Sequence, residues 1–313
     1  MCRHLAYVGP PVALAALLLD PPHSLLRQSW APRDMRGGGT INADGFGVGW
    51  YPPAPEATGG TGPAAASGVD GPVRLRRASP MWSDTGLAEL ARVTVSTAVL
   101  AAVRSATVGM PVVETANAPF AGDGLLLSHN GRIMGWPGSV ADLARRLPVT
   151  DLLTLDAPTD AAFLWAFVRH RLRGGEDPAT ALAATVAEVT AAAPDSRLNL
   201  LLTDGHRIYA TTAGHSLWIR PAETVPTRHT AEAQPGAGFA RTAVGEAQPG
   251  AGSARAASGG AREAQPASGG GRHGAAGFVV VASEPFDDDP TWQPVPDRRL
   301  VVADPTTHTV EDL

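Results

Sequence analysis

Apolar residues along the chain gather into short, almost continuous runs closed by turn-forming residues: AVLAAV at 98–103, GLLLS at 124–128, LNLLLTD at 198–204 and GFVVVAS at 277–283. Runs this short, without helical period, fit strands covered on both faces. RIYATT at 207–212 follows TDGH, a hairpin-like turn, which predicts antiparallel pairing with the run before it. Two stretches carry a helical period instead. In TDAAFLWAFVRHRL at 159–172, Phe163, Leu164, Phe167, Val168 and Leu172 share one face. DPATALAATVAEVTAAA at 177–193 offers Asp177 as N-cap and Pro178 at the first helical position, with Leu182, Val186 and Val189 turned inward. VALAALLL at 12–19 reads as a buried helix; it ends at DPPHS and no small-residue cleavage site follows, unlike a signal peptide. Doubly covered strands with a few amphipathic helices predict a layered α+β molecule, helices outside and two sheets inside.

Two segments break the pattern. PPAPEATGGTGPAAASGVDGP at 52–72 has no periodicity and reads as a flexible loop. From 228 to 277 a degenerate repeat (EAQPGAGFAR, EAQPGAGSAR, EAQPASGGGR) lacks the apolar residues that stacked units would bury, and reads as a disordered low-complexity insertion. The expectation is one domain over 2–313 that this insertion interrupts.

Composition narrows the function. At 313 residues and 44% hydrophobic the chain can bury a large core. A net charge of -5 and a pI near 6.0 give no basic field to attract nucleic acid. All 25 basic residues are arginine, which removes Schiff-base and phosphate-loop lysine chemistry. Cys2 is the only cysteine, so no intramolecular disulfide or multi-cysteine cluster can form. Histidines and carboxylates show no zinc-like spacing, and DGFGVGWY at 44–51 runs into WYPP rather than a helix, unlike a dinucleotide loop. No metal and no cofactor are therefore expected. No run reaches the ~20 apolar residues of a membrane span, so no membrane partner is expected and the protein reads as cytoplasmic. The sequence leaves the oligomeric state open.

Candidate chemistry begins at Cys2. A lone cysteine is as often a small buried hydrophobe. Directly behind Met1, however, it becomes the first residue once that methionine is removed, with a thiol and a free α-amine of ordinary pKa about 7.7–8.0 on one residue. His4 would share its strand face and competes as base, although packing or hydrogen bonding suits it better. In SHNGRI at 128–133, Asn130 and Gly131 read either as a turn or as a compact pair of oxyanion donors. Arg104, at the end of a strand in AAVRSATVG, is a surface arginine or a fork for a carboxylate. Asp160, behind Thr159 as N-cap, is a helix-terminal acid or a seat for an ammonium group.

Taken in order, Cys2, NADGFGVGWY, RSAT, SHNGRI and PTD resemble the class II glutamine amidotransferase domain, a family of N-terminal-nucleophile hydrolases. The resemblance covers nearly the whole chain outside the two low-complexity segments. It implies a four-layer αββα sandwich of two mostly antiparallel sheets between helical layers. It further implies Cys2 as nucleophile with its α-amine as base, and Asn130 and Gly131 as the oxyanion hole. Arg104 and Thr107 would bind the α-carboxylate of a small-molecule γ-glutamyl substrate, and Asp160 its α-ammonium. Ser105 and Val108 stand where these amidotransferases often have Trp and His, and Ala161 and Ala162 follow Asp160 where an acid is common. MCRHLAYVGPP, LLRQSWAPR and VASEPFDDDPTWQPVPDRRLVV are nearer the free-standing γ-glutamyl hydrolases of the group, which use water as acceptor. A stand-alone glutaminase serving a partner synthase, and a binding module whose retained Met1 masks the thiol, are the competing expectations.

Overall fold

The computed structural model describes residues 2–34, 41–53, 71–221 and 277–313. Its strands, in chain order, are β1 (Arg3–Ala13), β2 (Phe46–Trp50), β3 (Val73–Arg77), β4 (Val95–Val103), β5 (Phe120–Gly122), β6 (Leu125–Arg132), β7 (Arg197–Thr203), β8 (Ile208–Thr212), β9 (Leu217–Arg220), β10 (Val279–Ala282), β11 (Gln293–Val295), β12 (Arg299–Ala303) and β13 (His308–Asp312). They form a seven-stranded sheet, β11-β9-β10-β1-β4-β2-β3, and a six-stranded sheet, β13-β12-β8-β7-β6-β5. Every pairing is antiparallel. Helices α1 (Leu14–Leu18), α2 (Leu25–Gln28) and α3 (Thr85–Val93) precede α4 (Ala141–Ala144), α5 (Val149–Leu153), α6 (Asp160–Arg173) and α7 (Pro178–Ala192).

Strand alternation sorts the core into layers. On β1, Leu5 and Tyr7 join Leu14, Leu17 and Leu18 of α1 and Leu87 of α3, on the helical side of the first sheet. Ala6 and Val8 point the other way, into a seam with Leu126 of β6, Leu201 of β7 and Ala210 of β8. On β7 the opposite set, Leu198, Leu200 and Leu202, packs beneath Phe163, Phe167, Val186 and Val189 of α6 and α7. Helices, sheet, sheet and helices are thus the four layers expected from the sequence, and each sheet is apolar on both faces because each is covered twice. Close approach of backbone shapes the glycines of GFGVG: a Cβ on Gly47 would lie 2.2 Å from the Ala118 carbonyl oxygen. That segment is strand β2, with Phe46 and Val48 on the helical side.

Most elements match their expected positions, and the exceptions have local causes. The run 12–19 is helical only from Leu14; Val12 and Ala13 still pair with Ser96 and Val95 after a register shift in β1. The strand read at 124–128 continues to Arg132, paired with β7 throughout. Asn130-Gly131 therefore lies within a strand and makes no turn. The segments 52–72 and 228–277 fall almost entirely outside the described residues.

Both long helices start as their sequences require. Thr159 Oγ1 accepts from the Ala162 N–H at 3.2 Å, and the Asp177 carboxylate accepts from the N–H groups of Ala179 and Thr180, each at 3.1 Å. Removing the second cap leaves two first-turn donors to water alone. Asp177→Ala is expected to lower stability by about 0.5–2 kcal/mol, read as an earlier urea midpoint at unchanged slope; an unchanged midpoint would show that Pro178 and packing alone start α7.

Candidate active site

The start of β1 pairs with the end of β4, Arg3 opposite Val103, and the last residues of β6 lie across the seam. Five of the residues singled out from the sequence, Cys2, Arg104, Thr107, Gly131 and Asp160, line one cleft there, with about 500 Å³ of open space. Ala102, Asn117, Phe120 and His129 complete much of its wall.

Cys2 precedes β1 and is half-buried, its Sγ 3.7 Å from the Ser105 carbonyl oxygen. Its own backbone is anchored by its neighbour. Arg3 Nη1 donates to the Cys2 carbonyl at 3.0 Å, while Arg3 Nε lies 3.8 Å from the Glu284 carboxylate; each of these side chains is 2% exposed. Glu284 also accepts from the Arg33 and Asp34 N–H groups, at 3.3 and 2.8 Å, and Arg3 Nη2 donates to the Asp34 carbonyl. A charge this buried must be paired and hydrogen-bonded to persist. The pairing holds the chain end in place.

Arg104 leaves β4 into a loop tied down by Asp44. The Asp44 carboxylate accepts from the Ala106 N–H at 2.7 Å, its N–H donates to the Arg104 carbonyl at 3.0 Å, and the Arg104 N–H donates to the Gly45 carbonyl at 2.8 Å. One arm of the Arg104 guanidinium donates to the Pro111 carbonyl at 2.9 Å; no carboxylate pairs with it among the described residues. Asp160 opens α6 at 8% exposure, its oxygens accepting from the Ile133 and Ala161 N–H groups at 3.0 and 2.9 Å. No cation pairs with it among the described residues, so the cleft presents an uncompensated cation on one wall and an uncompensated anion on another.

Asn130 stands apart. It is buried at 2% exposure and does not line the cleft; its Nδ2 donates to Ser283 Oγ at 3.3 Å, and its Oδ1 is buried without a partner. Gly131 does line the cleft, and the position admits no side chain. A Cβ there would lie 1.8 Å from the Arg197 carbonyl oxygen and 2.8 Å from His129 Nε2.

His4 shares the Cys2 face as alternation predicts, but it is sealed in the seam. Its Nδ1 is 3.1 Å from Ser128 Oγ and its backbone N–H donates to Ser283 Oγ at 3.0 Å. Burial first, then the neighbouring His129, His215 and Arg3, pushes its pKa down to about 3. A ring that weakly basic suits a packing role. His215 is likewise lowered, to about 4, by burial first and then Arg197, whose Nε donates to its Nε2 at 3.0 Å. Asp44, Ser283, Glu284 and His129 acquire roles that composition and spacing did not assign. All lie within quoted motifs, so their signal was present, but each side chain meets partners far away in the chain.

A family model for class II glutamine amidotransferases matches residues 22–229. The chain is similar to the gamma-glutamyl-hercynylcysteine sulfoxide hydrolase of Mycolicibacterium smegmatis, at 35% identity over 96% of this chain and 95% of that one. It is similar to the protein of that name from Mycobacterium tuberculosis at 36% identity, over 96% and 92%. Among solved structures, a glutamine aminotransferase class-II domain protein from Silicibacter pomeroyi shares the fold, with a TM-score of 0.56 at 19% identity and 99% of both chains covered.

The two depressed histidines set a pH dependence of stability. Between pKa values of about 3 and 4 in the folded protein and the usual 6.5 of the unfolded chain, the unfolded state binds more protons. Stability is then fully present above about pH 6.5 and falls as the pH drops, by up to about 1.4 kcal/mol per unit for each histidine. His4→Asn should flatten the urea midpoint between pH 6.5 and 4; a slope equal to wild type would show that His4 does not drive it.

Proposed function

The chain belongs to the class II glutamine amidotransferase family, and on that premise we propose that it hydrolyses the γ-glutamyl amide of γ-glutamyl-hercynylcysteine sulfoxide, a step of ergothioneine biosynthesis, releasing glutamate. The observation that carries this reading is one cleft joining the Cys2 thiol to an unpaired guanidinium and an unpaired carboxylate. A γ-glutamyl group has the complementary layout: carboxylate and ammonium at one end, the scissile carbonyl at the other. The choice among γ-glutamyl compounds is supported by the names of the relatives matched along nearly the full chain.

With Met1 removed, the Cys2 α-amine takes the thiol proton as Sγ attacks the γ-carbonyl. The Gly131 N–H and the Asn130 amide receive the developing oxyanion. Collapse of the tetrahedral adduct breaks the C–N bond; the protonated α-amine returns its proton to the departing nitrogen, leaving a Cys2 thioester. Water then attacks the thioester, its proton again taken by the α-amine, and glutamate departs as the thiol re-forms. Arg104, with Thr107 beside it, holds the α-carboxylate, and Asp160 the α-ammonium. Anchoring the constant glutamyl end fixes the carbonyl against Sγ for any leaving group.

Glutamate release from the γ-glutamyl sulfoxide, measured beside release from glutamine, tests the reading; a kcat/KM favouring glutamine would overturn the substrate assignment. Cys2→Ala should fold and lose turnover. Arg104→Ala and Asp160→Ala should each cost about 2–5 kcal/mol in kcat/KM, because truncation leaves a substrate charge unpaired. Asn130→Ala should lower kcat by about 10²–10³ with little change in KM. Wild-type kcat/KM in the Arg104 and Asp160 variants would refute the placement of the glutamyl end even with Cys2 confirmed.

A further inference from the structure

A second cleft adjoins the first and shares Thr107, Met110 and Asp160 with it. It is roomier, with about 1090 Å³ of open space between the 107–111 loop and the Arg132–Pro137 segment, and Trp136 lines it. Cys2 and Arg104 belong to the first cleft alone. A γ-glutamyl group seated against them therefore directs whatever is bonded to its carbonyl toward the neighbouring space.

One charge on that wall has no counter-ion. Arg132 follows the cleft-lining Gly131 directly and lines the second cleft. Its Nε is buried with no hydrogen-bond partner, and no carboxylate pairs with its guanidinium among the described residues. The register makes this less comfortable still: Arg132 lies directly opposite Arg197 across β6 and β7. Like charges facing across a sheet destabilise it, and Arg197 offers no relief, its Nε donating to the His215 ring. Asp160, on the wall common to both clefts, is occupied by the Ile133 and Ala161 N–H groups and makes no ion pair with Arg132. An anion from outside the chain would satisfy the buried donor and offset the repulsion.

We propose that the second cleft receives the leaving group of the γ-glutamyl substrate and that Arg132 binds a carboxylate on that leaving group, next to the scissile nitrogen. The assignment rests on the γ-glutamyl reading of the first cleft and adds to it the chemistry of the departing side: an α-amino acid amide in place of a bare amide. Arg132 then acts as a specificity residue, since glutamine, with only NH₂ to lose, leaves its guanidinium unpaired.

Direct binding tests this without turnover. In the full chain carrying Cys2→Ala, calorimetry compares γ-glutamylglycine, whose leaving group bears the carboxylate, with γ-glutamyl methylamide, which lacks it. The expected ratio of affinities is about tenfold or more in favour of γ-glutamylglycine, the scale of one charge-assisted hydrogen-bonded pair. Adding Arg132→Gln should bring the ratio close to one, and Arg132→Lys should restore part of it. A ratio near one with Arg132 intact overturns the proposal even if Arg132→Gln fails to fold, and so does an undiminished ratio in a folded Arg132→Gln protein. Failure of the underlying reading looks different: neither γ-glutamyl compound binds, and wild-type protein releases no glutamate from the sulfoxide.

Discussion

β1 is hydrogen-bonded on both sides, Leu5 lying opposite Ala101 of β4 and Ala282 of β10, and the residue carrying the thiol stands one position before it. Chain ends ordinarily fray. Here the end is an interior strand of a sheet, and Arg3 and Glu284 close the last gap with a buried ion pair that also grips the Cys2 carbonyl. The arrangement places a nucleophile at the mouth of the inter-sheet seam with little freedom left to lose, which a covalent mechanism requires of its attacking atom.

That constraint organises the surroundings. Because Cys2 shares strand parity with His4, Ala6 and Val8, it faces the second sheet, and the groups opposite come from β6. The seam is apolar for most of its extent and polar only near this end, where His4, Ser128, Ser283 and Asn130 form a small hydrogen-bonded cluster. Ser283 Oγ accepts both from the His4 backbone and from the Asn130 side chain, so the strand bearing Cys2 and the strand bearing the oxyanion donors are braced on one hydroxyl. Within such a low-dielectric cluster each bond is strong and each loss costly.

The two clefts divide the recognition problem. The first is small and carries opposite charges on its walls; the second is larger and carries one guanidinium with no internal partner. A fold shared with proteins of different substrate makes such division useful, since the constant end can be conserved in geometry while the neighbouring loops, 107–111 and 132–137, set what may depart.

Local physics made much of this legible in the sequence. The short apolar runs are strands, the Thr159 and Asp177 caps start their helices, and the order of Cys2, RSAT, SHNGRI and PTD marks the residues that meet in the cleft. These features depend on neighbours in the chain or on a recognisable order of motifs. What the sequence could not supply were relations between distant segments: that Asn-Gly sits in a paired strand, that the Asn130 side chain turns to Ser283, and that Arg3 finds Glu284. Burial of His4, which strips its basicity, likewise comes from the second sheet. The facing of Arg132 and Arg197 is a matter of register between β6 and β7. Strand period predicts which side of a strand a residue takes, whereas only the packed sheets decide what waits on that side.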